Sequence, residues 1–300
     1  MKKNKQPKSI SVDTFGRYGK CTVQFPPSVS VETEDVLKAL QKEIKLKDLS
    51  MKVFALYTGE LGRPKMRLEK GDKVPLQEPL CLQRTGLDIS KDLKIARTDD
   101  TATHLLYSEI LNDPEKLHPT DEEKLQLEEF LDPSFPTERQ YLEAAAKVYG
   151  YTSTRIPNCT LKTDIKHRGQ QIEPGSNVTC TCNEDSFEIQ CKGKSLKWEW
   201  KLIKRWKIRL ENDQACFELC NEVSPNASIL QWIVIDTDQA ALLQQAAMEM
   251  CNKLLYKIKP ELKPVEICVG SQGQTGKGFA EYMNLVLFGA GRNFTSLEDL

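Results

Sequence analysis

The sequence lacks several features that would each point to a common class of protein. It has no run of about eighteen apolar residues, the length that a membrane-spanning helix needs. Its 42 basic and 43 acidic residues almost cancel, so no overall field attracts nucleic acid. Only three histidines occur, and none is paired in sequence with a nucleophile or with metal ligands. We therefore expect no membrane span, no cofactor, no nucleic-acid partner and no enzymatic activity.

Two further absences concern the cellular compartment and metal binding. The basic segment MKKNKQPKSI is not followed by the apolar run of a secretory signal, so we expect a cytoplasmic protein with free thiols at its ten cysteines. The densest group, Cys180, Cys182 and Cys191, alternates as in a strand and has only His167 nearby, which disfavours zinc. The segment GSQGQTGKG departs from the phosphate-binding pattern, which excludes a nucleotide site of that kind.

The first part of the chain, after a segment 1–16 expected to be disordered, has the pattern of a small α+β lobe over residues 17–96. The runs YGKCTVQF, MKVFALYT and PLCLQRT are predicted strands, and GELGRPK is rich in turn residues. In ETEDVLKALQKEIKL the apolar positions recur at helical spacing. This order favours a ubiquitin-like β-grasp, and another small α+β fold is the alternative.

Residues 97–150 have a helical pattern instead. THLLYSEIL is amphipathic, and Thr120 with Glu123 forms a capping-box pattern before the next helix. Thr137 with Gln140 repeats that pattern at the start of RQYLEAAAKVYG. Three short helices are too few for an independent bundle, so we expect this lobe to pack against its neighbours.

Residues 151–260 are dense in short strands and end in one long helix. The predicted strands are NVTCTC, FEIQC, LKWEWKL, WKIRL, ACFELC and ILQWIVI. Apolar residues from Leu242 to Ile258 recur at helical spacing until Pro260. This pattern predicts a PH/PTB-like β-sandwich closed by a C-terminal helix, with residues 261–300 forming a linker and tail.

The order of the three lobes and the sequences at their junctions resemble the FERM module of the endosomal sorting nexins, in the branch with sorting nexins 17 and 31. The stretches that carry the resemblance are THLLYSEILNDPEKLHPTDEEKLQLEEF, YLEAAAKVYGYTSTRIPNC and LKWEWKLIKRWKIRLENDQACFELCNE. The resemblance implies an α+β fold of three FERM-like lobes, with an unusually short second lobe. Family members begin with a phosphoinositide-binding PX domain. The residues before the first predicted strand are too few for one, so we expect a member without it, an isoform or a truncated chain.

The resemblance also implies a function. Such a protein is a cargo adaptor on the cytoplasmic side of early endosomes, and its third lobe binds NPxY or NPxF motifs in the tails of membrane proteins. In such a lobe an extended peptide adds as a strand to a sheet edge. The cargo-peptide groove then falls on Trp206, Lys207, Ile208, Arg209 and Met250. Core packing is the alternative explanation for Trp206 and Met250.

Two more candidate surfaces follow from the sequence and the resemblance. Lys197, Lys201, Lys204 and Arg205 form a basic run, which is either a solvated face or a contact with an anionic membrane surface. The segment NFTSLEDL matches the acidic motif with a C-terminal leucine by which the family docks on the retriever complex. Its predicted docking residues are Phe294, Leu297, Glu298, Asp299 and Leu300.

The main alternative function is that of a FERM-type scaffold. FERM lobes bind many partners, so small GTPases or phosphoinositides could be bound without any role in sorting. The predicted tail separates the two functions, because a scaffold of this kind would not need it.

Overall fold

The computed structural model of the protein describes two compact units, residues 1–153 and 154–300, each with its own core. The residues described within them are 7–27, 29–85, 88–131, 137–209, 212–224 and 227–258. The predicted tail and its docking residues, Phe294, Leu297, Glu298, Asp299 and Leu300, lie outside the described residues.

The first unit begins with a five-stranded mixed sheet. Its strands are β1 (Lys8–Asp13), β2 (Lys20–Phe25), β3 (Phe54–Glu60), β4 (Arg63–Arg67) and β5 (Leu80–Arg84), in the spatial order β2-β1-β5-β3-β4. The two central strands, β1 and β5, are parallel, and all other neighbours are antiparallel. With one helix between the two hairpins, this is the expected β-grasp arrangement.

Helix α1 (Thr33–Ile44) covers the sheet through one apolar stripe. Val36, Leu40 and Ile44 are buried and recur at a spacing of four, as the sequence pattern predicted. The helix begins with a reciprocal capping box between Glu32 and Asp35 and ends at Lys45, whose φ of 58° is left-handed.

Two strands of this sheet were not predicted. β1 lies in the segment expected to be disordered, so that prediction is wrong for Lys8–Asp13, which pairs with β2 along its whole length. β4 lies partly in the turn-rich GELGRPK and contains Pro64. It is the outermost strand of the sheet, where a proline is tolerated because one side of the backbone needs no ladder hydrogen bonds.

Four helices follow and share the core of the sheet. They are α2 (Ile89–Ala96), α3 (Asp100–Asn112), α4 (Asp121–Glu129) and α5 (Glu138–Ala145). The capping box of Thr120 and Glu123 is present, whereas the Thr137 side chain makes no capping bond to the backbone. Buried residues from Ile10 to Tyr151 form one hydrophobic cluster, so the short helical lobe packs against its neighbour, as expected.

A buried network of charged groups joins this sheet to these helices. The Arg84 guanidinium at the end of β5 lies 2.9 Å from Asp92 of α2, and the Arg84 backbone N–H donates to Glu109 of α3 at 3.0 Å. Arg84 also donates to the Tyr151 carbonyl at 2.8 Å, while the Tyr151 hydroxyl donates to Asp92 at 3.2 Å. Arg84 and Asp92 are 6% and 1% exposed, so their charges have little contact with water.

We expect Arg84→Met to destabilise the first unit severely. Removal of one partner leaves the carboxylates of Asp92 and Glu109 buried without their cation, which costs about 3–5 kcal/mol. Hydrogen exchange of amides in β5, α2 and α3 measures the loss. Arg97→Met is the matched control, because the pair of Arg97 with Glu143 is largely exposed and is worth less than about 1 kcal/mol. Equal effects of the two substitutions would contradict the stabilising role assigned to the buried Arg84 network.

The second unit is built on a seven-stranded antiparallel sheet. Its spatial order is β11-β10-β9-β6-β14-β13-β12, from β6 (Thr154–Leu161), β9 (Asn177–Cys182), β10 (Ser186–Cys191), β11 (Lys194–Glu199), β12 (Ile203–Arg209), β13 (Gln214–Ser224) and β14 (Ala227–Asp236). β6 and β14 pair through only two residue pairs, Leu161 with Ile235 and Thr160 with Asp236. The sheet therefore divides there into two halves that face each other, as in a PH/PTB-like sandwich.

Six of these strands coincide with the six predicted runs, and three further strands were missed. β6 has a register shift between Ile156 and Cys159, where Asn158 adopts a left-handed φ of 58°. This irregularity interrupts the alternation of apolar and polar residues by which a strand is recognised in a sequence, so β6 was missed. β7 (Ile165–His167) and β8 (Gln170–Ile172) form a separate short hairpin in the connection from β6 to β9.

Helix α6 (Ala240–Ile258) packs against β6, β9, β12 and β13. Its buried side chains include Leu243, Ala247, Met250 and Cys251, which follow the predicted helical period. The predicted α+β class, with a C-terminal helix against the sandwich, is confirmed.

Candidate functional site

Strand β12 is the feature of the second unit that suits an incoming peptide. Within the described residues it pairs with β13 and with no other strand, so it forms one edge of the sheet. Backbone N–H and C=O groups along the free side of an edge strand can pair with an extended chain. Helix α6 packs against the same strand. Trp206, Lys207, Ile208 and Arg209, the predicted groove residues of this strand, all lie on this edge.

The three clustered tryptophans have different environments, although they lie within nine residues. Trp198 and Trp200 are almost fully buried and donate hydrogen bonds to Asn221 Oδ1 at 2.9 Å and to the Asn183 carbonyl at 3.0 Å. Trp206 is only half-buried, and its ring lies 6.4 Å from that of Phe217 in the core. Trp198 and Trp200 are therefore core residues, whereas Trp206 is accessible beside the open edge.

Met250 was predicted to lie in the groove or, as the alternative, to pack in the core. Its side chain is 0% exposed on the inner side of α6, among the core residues of the unit. In this structure it packs the helix against the sheet and does not line an accessible groove. The packing alternative therefore accounts for Met250.

The residues of the basic run lie on β11, on β12 and in the turn between these strands, and most of them have an acidic neighbour. Lys197 lies 3.4 Å from Asp185, and Lys201 lies 2.7 Å from Glu199. Arg205 makes two hydrogen bonds to Glu218 on β13, at 2.7 and 3.3 Å. Lys204 is half-buried and also has an interaction partner. These contacts reduce the charge available to an anionic membrane surface.

Trp232 on β14 was not predicted as a site residue. The Arg205 guanidinium lies 5.4 Å from its ring centre and the Lys207 ammonium lies 4.9 Å from it, both within the range of cation–π contacts. The signal for Trp232 was its place between inward-facing residues in ILQWIVI, which puts it on the outer face of the sheet. Its partners could not be identified without the strand register.

His167 is buried beside β11, the strand at the other edge of the sheet from β12. The ring of His167 lies 4.8 Å from that of Trp198, and its Nδ1 accepts a hydrogen bond from the backbone N–H of Glu222 at 3.2 Å. Burial lowers the pKa of His167, and the neighbouring Arg168 lowers it further. Protonation would also remove the lone pair that accepts the bond from Glu222. The folded second unit therefore favours neutral His167.

We expect the second unit to lose stability as the pH falls below about 6.5, the ordinary pKa of histidine. Below that pH the unfolded chain takes up a proton at His167 that the folded unit resists. His167→Asn keeps an acceptor without titrating and should flatten this dependence. Urea unfolding followed by tryptophan fluorescence measures it, because all four tryptophans, Trp198, Trp200, Trp206 and Trp232, lie in this unit. The exposed His118→Asn serves as control, and an unchanged pH slope in His167→Asn would contradict the assignment.

Histidine catalysis, metal binding and a membrane span can each be compared with the described part of the chain. His104 has both ring nitrogens engaged, by Glu138 at 2.7 Å and by the backbone N–H of Arg17 at 2.8 Å. Burial raises the pKa of the thiols of Cys182 and Cys251, which disfavours the thiolate that metals bind. Within the described ranges there is no group of three or more potential metal ligands. None of the described helices is long and apolar enough to cross a membrane.

The β-grasp sheet, the short helical lobe and the PH/PTB-like sandwich with its terminal helix define the chain as a FERM-like module. Its sequence is 24% identical over 247 residues to human sorting nexin-31, so the chain is similar in sequence to a sorting nexin. The alignment covers 78% of this chain and 51% of sorting nexin-31, so the chain spans about half the length of that curated relative. No family model matches the sequence.

Solved structures that resemble the chain include further FERM domains. The FERM and C-terminal domain complex of Drosophila Merlin is 12% identical, with a TM-score of 0.49 over 84% of this chain and 98% of Merlin's. The MyTH4-FERM MF2 domain of Dictyostelium discoideum myosin VII is also 12% identical, with a TM-score of 0.46 over 81% of this chain and 60% of that one. The FERM-like description of the chain rests instead on the strand orders of its two sheets and on its sequence similarity to sorting nexin-31.

Proposed function

We propose that the protein is an endosomal cargo adaptor whose second unit binds NPxY or NPxF motifs in the cytosolic tails of membrane proteins. The observation that carries this proposal is the open edge of β12 beside α6. A tail segment would pair its backbone with the free side of this strand, which supplies affinity independently of sequence. The similarity to a sorting nexin supports the cellular role.

The side chains of β12 suit such an added strand on both of its faces. Trp206 and Ile208 are half-buried and lie on one face, where they offer apolar surface next to α6. Lys207 and Arg209 lie on the opposite face. An extended peptide would therefore meet apolar and cationic side chains at alternate positions. Met250 would contribute by holding α6 in place and not by touching the peptide.

We further propose that the acidic segment at the end of the sequence docks on the retriever complex. This part rests on the resemblance of Phe294, Leu297, Glu298, Asp299 and Leu300 to the docking motif of the sorting nexins. A leucine side chain can fill an apolar pocket while neighbouring carboxylates meet backbone amides or basic groups. Cargo and retriever would then bind to separate parts of the chain.

We expect an NPxY peptide to slow hydrogen exchange of amides in β12 and leave the opposite edge strand β11 unchanged. New backbone hydrogen bonds form only along the strand that pairs with the peptide. Hydrogen-exchange mass spectrometry of the whole chain, with and without peptide, measures this. A peptide with its Asn and Tyr replaced by Ala is the control. Protection confined to another surface, or no binding, would overturn the peptide-binding proposal.

We expect deletion of Leu300 to abolish binding of the purified retriever complex and leave NPxY peptide affinity unchanged. The deletion removes the side chain that would fill the apolar pocket. Fluorescence anisotropy and a pull-down with purified components measure the two affinities. Trp206→Ala is the reciprocal control, since it should weaken the peptide and spare retriever. Retention of retriever by the shortened chain would move the GTPase- or lipid-binding scaffold ahead.

A further inference from the structure

Three cations of β12 share the outer face of the sheet. Arg205 and Lys207 both contact the ring of Trp232, and Arg209 follows at the next position of the same alternation. Cys216, the register partner of Lys207, lies beneath this row. Lys207 is half-buried and Arg209 is exposed.

The sheet supplies a counter-charge to only one of these three cations. The register partner of Arg205 is Glu218, which it binds with two hydrogen bonds. Lys207 and Arg209 face the uncharged Cys216 and Gln214. Among the described residues, neither of these two cations forms an ion pair with a carboxylate.

The next strand does not supply the missing carboxylates. Asp236 of β14 is the register partner of Gln214 and shares the outer face. Its carboxylate lies 2.7 Å from the ammonium of Lys162 and accepts a hydrogen bond from Gln214 at 2.9 Å. Neither β13 nor β14 therefore neutralises Lys207 and Arg209, and the other side from which a strand can reach them is the free side of β12, where the peptide would add.

Strand geometry places those neighbours at defined positions of a peptide. Residues directly opposite each other on antiparallel strands have Cβ atoms about 4.5–5.5 Å apart, close enough for an ion pair. Lys207 and Arg209 are two residues apart, so their partners on the peptide are also two residues apart. A peptide shifted by one residue would turn those side chains towards the apolar Trp206 and Ile208, where a carboxylate loses hydration.

We propose that this edge selects peptides with two acidic residues at alternate positions, opposite Lys207 and Arg209. This inference rests on the proposed function and names the class of cargo that the same site prefers. The acidic pair lies in the strand-forming part of the tail and not in the NPxY motif itself. Selection follows the register of the acidic residues as well as the net charge of the peptide.

The test compares two NPxY peptides of identical composition whose pair of glutamates is displaced by one residue. Fluorescence anisotropy with the whole chain should show tighter binding of one peptide by roughly threefold to tenfold, the effect of two cross-strand ion pairs. The difference should shrink as ionic strength rises. Equal affinities of the two peptides would overturn the inference.

Charge reversal tests whether Lys207 and Arg209 are the residues that pair with the acidic residues of the peptide. Lys207→Glu with Arg209→Glu should reverse the preference between the two peptides, because the matched glutamates then face like charges, and should favour peptides with lysines at the same positions. Lys166→Glu, an exposed site on β7, is the matched control and should leave the difference intact. Persistence of the original preference in the double variant, or its loss in the control, would overturn the inference.

A third peptide without acidic residues separates this inference from the proposed function. Its binding to the unmodified chain supports the peptide-binding function, whether or not the acidic register matters. Its binding to the double variant shows that the variant is folded. If the double variant fails to bind it, Lys207→Gln with Arg209→Gln replaces that variant. If no NPxY peptide binds the unmodified chain, both proposals fail.

Discussion

The second unit depends on aromatic contacts between the two halves of its sheet. β6 and β14 share only two residue pairs, so backbone pairing alone holds the halves weakly together. Across the interior, Phe187 of β10 stacks on Phe217 of β13 with ring centres 4.7 Å apart. Beside Phe187 on the neighbouring strand β11, the Trp198 ring lies 6.3 Å away. Aromatic pairs of this kind contribute about 0.5–1.5 kcal/mol beyond burial alone. Because Trp206 packs on Phe217, these contacts also position the edge strand.

Much of the fold could be predicted from alternation and helical spacing, whereas the missed strands lacked a clear local pattern for different reasons. β1 has few apolar residues, and it is ordered by its pairing with β2 and its parallel contact with β5. Such long-range pairing leaves no local signal. β4 was hidden by glycine and proline, which are typical of turns but are also tolerated in an edge strand. Local pattern thus missed strands whose alternation is short or interrupted, both inside a sheet, as for β1 and β6, and at its edge, as for β4.

The candidate site could be predicted only in part, because its chemistry depends on strand register. The runs LKWEWKL and WKIRL predicted two strands, and the resemblance placed the peptide edge on the second. The register shift between Ile203 and Arg205 decides which residues of β12 face inwards. Trp198 on β11 is covered by the distant His167, whereas Trp206 on β12 is only half-buried, a difference that their similar sequence contexts do not show. The ion pairs of the basic run were equally hard to predict. Two of its counter-ions, Asp185 before β10 and Glu218 on β13, are distant in sequence from Lys197 and Arg205, so no local pattern shows that these charges are paired.

The cations on β12 also affect whether the unpaired edge associates with the same edge of a second molecule. An exposed edge strand can pair with the same strand of another molecule and so begin aggregation. Antiparallel pairing of two β12 strands would bring Lys207 and Arg209 close to their counterparts. Like charges that face each other across strands are destabilising. The side chains that would attract an acidic tail thus make self-association unfavourable and keep the edge available in the monomer.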